Sequence, residues 1–181
     1  AGSSRANDLW ALGLARVARC EGARMAGDDG LALSLNLESL EVSRRAGDRF
    51  NITLGLVNSS HLFLKRGDAP AAARALREAV IHHRDLGSAW GLAYALIGLG
   101  GVAAFQADGA GAASILGAAE AAFTRLGIIV QAPDRADMDR YVSRARELIS
   151  ADAFSEAWEV GTAMELEDAV RYATERVGRT E

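Results

Sequence analysis

The sequence is poor in the features that mark disulfide-bonded, nucleic-acid-binding and membrane-spanning proteins. Its single cysteine, Cys20, excludes an internal disulfide and is expected to be a small buried apolar side chain. A net charge of −4 argues against a nucleic-acid surface, because phosphate binding requires clustered positive charge. No apolar run reaches the roughly eighteen residues of a membrane span, and no secretory leader is evident. We therefore expect a cytoplasmic location, without direct contact to nucleic acid or membrane.

Helix breakers are scarce as well. The only prolines are Pro70 and Pro133, and the remaining sequence is dominated by alanine, leucine, glutamate and arginine, which favour helix. Half of the residues are hydrophobic, which is enough for a sizeable core in a chain of 181 residues. This composition predicts an all-α protein with few strands.

Glycines and aspartates recur every 40 residues through the first two-thirds of the chain. The glycines are Gly47, Gly87 and Gly127, and the aspartates are Asp28, Asp68 and Asp108. Each glycine follows a helical pattern and each aspartate precedes one, as helix C-terminal turns and N-caps do. A period of this length is typical of stacked helix pairs, which share a continuous core and leave one extended surface free for partners.

These turns predict the helix boundaries. They divide residues 1–127 into three helix pairs, with helices near 5–26, 30–46, 50–66, 70–86, 89–106 and 110–126. The period ends at Gly127, and residues 128–133 form a short apolar connector that can be extended. Three further apolar stripes follow, and we expect the helices of residues 128–181 to cap the last apolar face of the same solenoid domain.

Three local patterns suggest chemistry but lack the context that the chemistry needs. Residues 98–103 match a dinucleotide-binding fingerprint, yet they continue a helix instead of following a strand and a tight turn. His82 and His83 are adjacent, so they cannot ligate a metal from one helix face. A third pattern, Asp134, Asp137 and Asp139, lacks the glycine and glutamate of a calcium loop and is interpreted as first-turn acids. We therefore predict neither a cofactor, a metal nor a catalytic set.

Several stretches resemble the tetratricopeptide-like tail of a family of bacterial, actinobacterial-type regulators. Residues 113–123 with 126–127 resemble the family's last repeat, and residues 153–161 with 166–170 resemble its closing "AF..AW..G....LEEAV". Residues 46–49 and 85–91 resemble its "LGD..G" link between repeats. The resemblance covers most of residues 28–175 and implies a right-handed superhelix. Such tails follow a signal-transduction ATPase in LuxR-type transcription factors.

The resemblance implies a non-catalytic module for protein interaction and signal transduction, the tail of a longer transcriptional regulator. Its partner would be a protein, a peptide or a small-molecule inducer. A free-standing tetratricopeptide-like scaffold is one alternative, and an enzyme built on an α-solenoid is another. The identity of the effector and the oligomeric state stay open.

A polar strip on the predicted helix 50–66 supplies a candidate binding site. Asn51, Asn58, His61 and Lys65 project within a sector of about 80° on an otherwise apolar helix. One repeat later the same positions hold Gly91, Gly98, Gly101 and Phe105, and helical glycines mark the close approach of another backbone. In tetratricopeptide-like folds such first helices line the concave groove. The groove is predicted to comprise Asn51, Asn58, His61, Lys65, Tyr94, Gly98, Gly101 and Phe105. Its occupant is either a C-terminal capping helix or an external peptide or partner helix.

Overall fold

A computed structural model describes residues 19, 20, 22, 23 and 26–178. Within this part of the chain no strand occurs, which confirms the all-α prediction. The helices with defined bounds are α1 (Asp29–Ala46), α2 (Arg49–Lys65), α3 (Ala69–Asp85), α4 (Ala89–Phe105), α5 (Gly109–Leu126), α6 (Ala132–Leu148), α7 (Ala151–Thr162) and α8 (Leu166–Val177). From α1 to α5 they differ from the predicted boundaries by no more than one residue at either end. Most of the predicted helix 5–26 lies outside the described residues.

A single kind of turn connects the helices from α1 to α5. Residues with positive φ recur every 20 positions, at Gly27, Gly47, Gly67, Gly87, Ala107 and Gly127. After the first five of these six positions, the next residue is an N-cap whose side chain accepts a hydrogen bond from the N–H three residues later; these caps are Asp28, Asp48, Asp68, Ser88 and Asp108. Each helix with its turn therefore fills half of the 40-residue sequence period.

Short turns make consecutive helices antiparallel neighbours, and each packs on the next from α1 to α5. The helix α4 lies at the centre, because it also contacts α2, α6 and α8. Its side chains are buried on every face from Gly91 to Ala104, as expected for a helix that is apolar all round. The right-handed sense of the superhelix stays a prediction.

The chain beyond Gly127 returns to the last helix pair. Residues 128–131 have no regular structure, and Pro133 lies in the first turn of α6. Both α6 and α8 pack on α4 and α5, while α7 packs mainly on α5. This return places the beginning of α6 beside α2 and α4, where the candidate site lies.

Candidate functional site

The predicted groove is not open along its whole length, because α6 lies over part of it. The His61 side chain is only 1% exposed, because α6 covers it. A hydrogen bond of 3.1 Å joins His61 Nδ1 to the Tyr141 hydroxyl, and the tautomer of the imidazole decides which group donates. The Asp137 carboxylate lies 3.7 Å from the same nitrogen. Here the polar strip of α2 binds a helix of its own chain.

Two further groove positions on α4 also face α6. A Cβ atom on Gly101 would lie 2.7 Å from the Tyr141 ring, so glycine is what allows this aromatic side chain to approach. The Arg144 guanidinium lies 4.3 Å from the centroid of the Phe105 ring, and its Nε donates to the Ala104 carbonyl at 3.1 Å. Of the two occupants considered from the sequence, the C-terminal helix is the one observed at these positions.

Three other residues of the predicted groove contact the repeats themselves and not α6. Gly98 faces α3 and α2, since its Cβ would lie 2.8 Å from Leu76 and 3.0 Å from the Ser60 hydroxyl. Asn51 donates from its side chain to the Asp48 carboxylate at 2.6 Å, and the Lys65 ammonium donates to Asp29 at 2.8 Å. Gly98, Asn51 and Lys65 are thus used in contacts within the repeats, and a binding role for them stays a prediction.

The remaining two residues of the predicted groove, Asn58 and Tyr94, line one cavity. Its volume of about 360 Å³ falls at the lower end of the ~300–1,000 Å³ typical of small-molecule sites. The cavity lies between α2, the last turn of α3, α4 and the beginning of α6. It is lined by Phe50, Leu54, Val57, Asn58, His83, Trp90, Tyr94, Gln131, Pro133 and Asp134.

Aromatic side chains form one wall of the cavity. The Trp90 and Tyr94 ring centroids are 4.8 Å apart with planes tilted by 47°, and Tyr94 also packs edge-on against Phe123 at 4.9 Å. Phe50 is 58% exposed and Trp90 38% exposed, although both are large apolar side chains. Because water is a poor solvent for such rings, a ligand in the cavity would gain free energy by covering them.

The deepest polar group in the wall is His83. Its side chain is 2% exposed, and a Cβ on Gly91 would lie 2.0 Å from the ring. Burial, and secondarily the nearby His82, lowers the pKa of His83 to about 4, so the imidazole is neutral at pH 7. Within the described part of the chain, His83 Nδ1 is buried without a hydrogen-bond partner. A buried polar atom without a hydrogen-bond partner is uncommon, so this wall is a candidate binding surface.

The first turn of α6 contributes an acidic side chain, Asp134, to the cavity lining. Asp134 lies in the first helical turn, which confirms its interpretation as a first-turn acid. Burial first, and then the Asp134 charge, raises the pKa of Tyr94 against an opposing backbone hydrogen bond at Gln131. Asp137 differs from the sequence interpretation, because it is 3% exposed and accepts a hydrogen bond from Arg140 at 2.8 Å. It faces the repeats instead of marking a helix start.

Sequence reasoning missed the aromatic pair at the mouth of the cavity, although a signal was available. Phe50 and Trp90 are 40 residues apart, at the second position of α2 and of α4. Trp10 continues the series in the sequence and lies outside the described residues. Since α2 and α4 are in contact, residues one period apart on these helices come together. Aromatic residues at one repeat position therefore indicate a shared surface.

The described residues contain no group of three His, Cys, Asp or Glu side chains placed to hold a metal, and none of their helices is long and apolar enough to cross a membrane. The glycines of the dinucleotide fingerprint lie inside α4, with no turn before them. Comparison of the chain with protein-family models, curated proteins and solved structures found no match. The resemblance to regulator tails therefore rests on the motifs alone.

Proposed function

We propose that this chain is a non-catalytic sensory module, the effector-binding tail of a bacterial transcriptional regulator. The observation that carries the proposal is the cavity beside Trp90 and Tyr94, which combines partly exposed aromatic side chains with a few polar groups. This composition is typical of sites that bind small molecules. The motifs shared with regulator tails supply the cellular role.

The chemistry of the cavity favours binding over catalysis. His83 is the natural candidate for a general base, but a pKa of about 4 leaves it a weak base at neutral pH. A second cluster of titratable groups, His61 with Asp137 and Tyr141, is buried between α2 and α6 with exposed fractions of 1%, 3% and 0%. A substrate could reach these groups only if α6 moved away.

The position of the cavity suggests how an effector would act. Its walls come from the repeats, through α2, α3 and α4, and from residues 131–134 at the beginning of α6. A ligand that contacts both sides stabilises the arrangement in which α6 lies on the repeats, and so shifts the population towards it. A domain preceding the tail would then respond to the position of α6.

Blocking the cavity tests the proposal. Leu54 lines the cavity and is half-buried, so Leu54→Trp should fill part of the space without rebuilding the core. Leu37→Trp on the exposed face of α1 is the matched control. A library of cationic, neutral and anionic fragments is screened by protein NMR. We expect chemical-shift changes at the cavity residues in the parent protein and in Leu37→Trp, but not in Leu54→Trp. If no fragment occupies the cavity, the sensory proposal is wrong.

A test of the regulatory role requires the full gene product. We expect Leu54→Trp to remove the effector response of its ATPase or transcriptional activity, whereas Leu37→Trp keeps it. A gene that encodes neither an ATPase nor a DNA-binding domain would instead favour the free-standing scaffold.

A further inference from the structure

The polar groups of the cavity around Trp90 and Tyr94 give little support to a charged ligand. His83 is a neutral imidazole at pH 7, because burial lowers its pKa to about 4, and the raised pKa of Tyr94 keeps the phenol protonated. Among the described residues that line the cavity, none is lysine or arginine. The acidic side chain of the lining, Asp134, already takes part in an interaction within the chain. Because a charged ligand loses hydration on entering a cavity, this lining favours an uncharged one.

Asn58 is the polar side chain best placed to select such a ligand. It lies in the middle of α2, is half-buried and lines the cavity. Among the described residues its carboxamide has no hydrogen-bond partner, whereas the carboxamides of Asn36 and Asn51 are both bonded. A carboxamide holds N–H donors and a C=O acceptor side by side in one plane. Its complement is a ligand edge that carries an acceptor next to a donor.

The aromatic side chains of the lining favour a flat ligand. Phe50 on α2 and Trp90 on α4 occupy equivalent repeat positions, and both rings are partly exposed. Tyr94 packs against both Trp90 and Phe123, which holds this wall in place. A planar aromatic ligand would cover the exposed rings by stacking, and aromatic pairs gain free energy beyond the area that they bury.

We infer that the cavity binds an uncharged, planar heteroaromatic ligand with a lactam edge, in which an N–H lies beside a C=O. The rings of the ligand would stack on Trp90 and Phe50, and the lactam would pair with the Asn58 carboxamide. Leu54 and Val57, which also line the cavity, would supply apolar contacts to the ring body. The inference rests on the proposed function, since it names the ligand class of the same cavity.

Four probes built on one bicyclic ring system test the inference. 2-Quinolinone carries the lactam edge, and its N-methyl derivative keeps the carbonyl but loses the N–H. N-methylquinolinium is a cation of similar shape, and quinoline-2-carboxylate is an anion. Calorimetry should give 2-quinolinone an affinity about tenfold higher than that of each other probe, as expected when a hydrogen bond is lost and its partner stays unpaired. Protein NMR would locate each probe through the Trp90 indole N–H and its neighbours.

Variants separate hydrogen bonding from stacking. Asn58→Leu removes the carboxamide at nearly constant side-chain volume, and should abolish the preference for 2-quinolinone over its N-methyl derivative. Gln106→Met, which removes a half-buried amide at the opposite end of α4, should keep this preference. Trp90→Leu should weaken both probes by a similar factor, because both lose the same stacking partner. Melting curves of all variants establish that they are folded.

The outcomes distinguish the two proposals. If the N-methyl derivative or either ion binds as tightly as 2-quinolinone, or if Asn58→Leu keeps the preference, the lactam inference is wrong and occupation of the cavity still supports the sensory proposal. If none of the four probes occupies the cavity, the lactam inference is wrong, and the fragment screen decides the sensory proposal.

Discussion

The five helices from α1 to α5 and the three helices from α6 to α8 are built by different rules. In the first region every turn repeats one local pattern, a residue with positive φ followed by a capping side chain. In the second region no residue between 128 and 178 has positive φ, and the N-caps Gln131, Ser150 and Glu165 are extended. The first region is therefore specified by signals that lie next to each other in the sequence.

The later helices depend on groups that are distant in sequence. Arg176 donates to the Asp108 carboxylate, with Nη2 and Oδ1 3.0 Å apart, and the Ser114 hydroxyl donates to the Ala157 carbonyl at 2.9 Å. Arg125 donates to the Met164 carbonyl at 2.6 Å. These contacts depend on how two surfaces meet, and short sequence patterns do not encode them. The comparison teaches that a repeat is easy to predict and its covering helices are not.

The largest expected effect is at the crossing of α5 and α7. A Cβ on Gly161 would lie 1.9 Å from the Ser114 carbonyl oxygen, and a backbone atom inside a helix cannot move aside cheaply. We expect Gly161→Ala to lower the free energy of unfolding by about 3 kcal/mol, measured by urea denaturation.

Gly30→Ala is the control for this substitution in the repeat region. The nearest heavy atom to its Cβ position is the Asp28 carboxylate at 3.5 Å, an ordinary contact. Because alanine favours helix over glycine, the control should gain up to about 1 kcal/mol. Equal stabilities for the two variants would show that the close crossing of α5 and α7 is wrong.

The second effect concerns the buried link between α6 and the strip on α2. Tyr141→Phe removes the hydroxyl that bonds His61 Nδ1 and leaves a buried polar atom with one partner fewer. We expect a loss of about 1–3 kcal/mol in the free energy of unfolding. Tyr172→Phe, on half-buried Tyr172, should stay within about 0.5 kcal/mol. A loss no greater than that of the control would contradict the role of this hydrogen bond.

The third effect concerns the ion pair between Arg176 on α8 and Asp108 in the turn before α5. This effect depends on pH. Burial raises the pKa of Asp108, but hydrogen bonds from Arg176 and the Gly111 N–H, together with the Arg176 charge, outweigh it and lower the pKa below its usual value. A lowered folded-state pKa stabilises the protein above the unfolded-state pKa of about 4, and this stabilisation is lost as pH falls through the folded-state value.

Arg176→Ala should therefore cost about 1 kcal/mol at pH 7 and flatten the decline of stability below about pH 4. Urea denaturation at a series of pH values measures both. The comparison variant is Arg171→Ala, which removes only an exposed pair with Asp168 and should leave the acid dependence unchanged. An acid profile shared by both variants would argue against the Asp108 link.

The smallest effect lies within the repeat turns. Ala107 has φ of 61° where the other turns have glycine, a conformation that costs free energy in a residue with a Cβ. Ala107→Gly should raise the free energy of unfolding by about 0.5–1 kcal/mol, and Gly67→Ala should lower it similarly. Gly67 is a clean reference, because no heavy atom lies within 4 Å of its Cβ position. Changes of the same sign in both variants would exclude φ as the cause.

The candidate site shows where prediction from sequence ended. Asn58 belongs to the polar strip of a helix with a known period, and Tyr94 was predicted to line the same groove from the helix one repeat later. His61 lies on the same polar strip as Asn58, yet Tyr141 and Asp137 of α6 cover it. Helical periodicity identifies a face of a helix and does not identify what packs on that face.

By itself the sequence determined the all-α class, the helix ends from α1 to α5 and the capping residues between them. These features depend on interactions across three or four residues, such as the Asp68 side chain accepting from the Ala71 N–H. Only the tertiary structure decided that α6 returns over α2 and α4, and that Phe50, His83, Trp90 and Asp134 surround one cavity. The physical reason is that the path of the chain after Gly127 is set by packing between surfaces far apart in sequence.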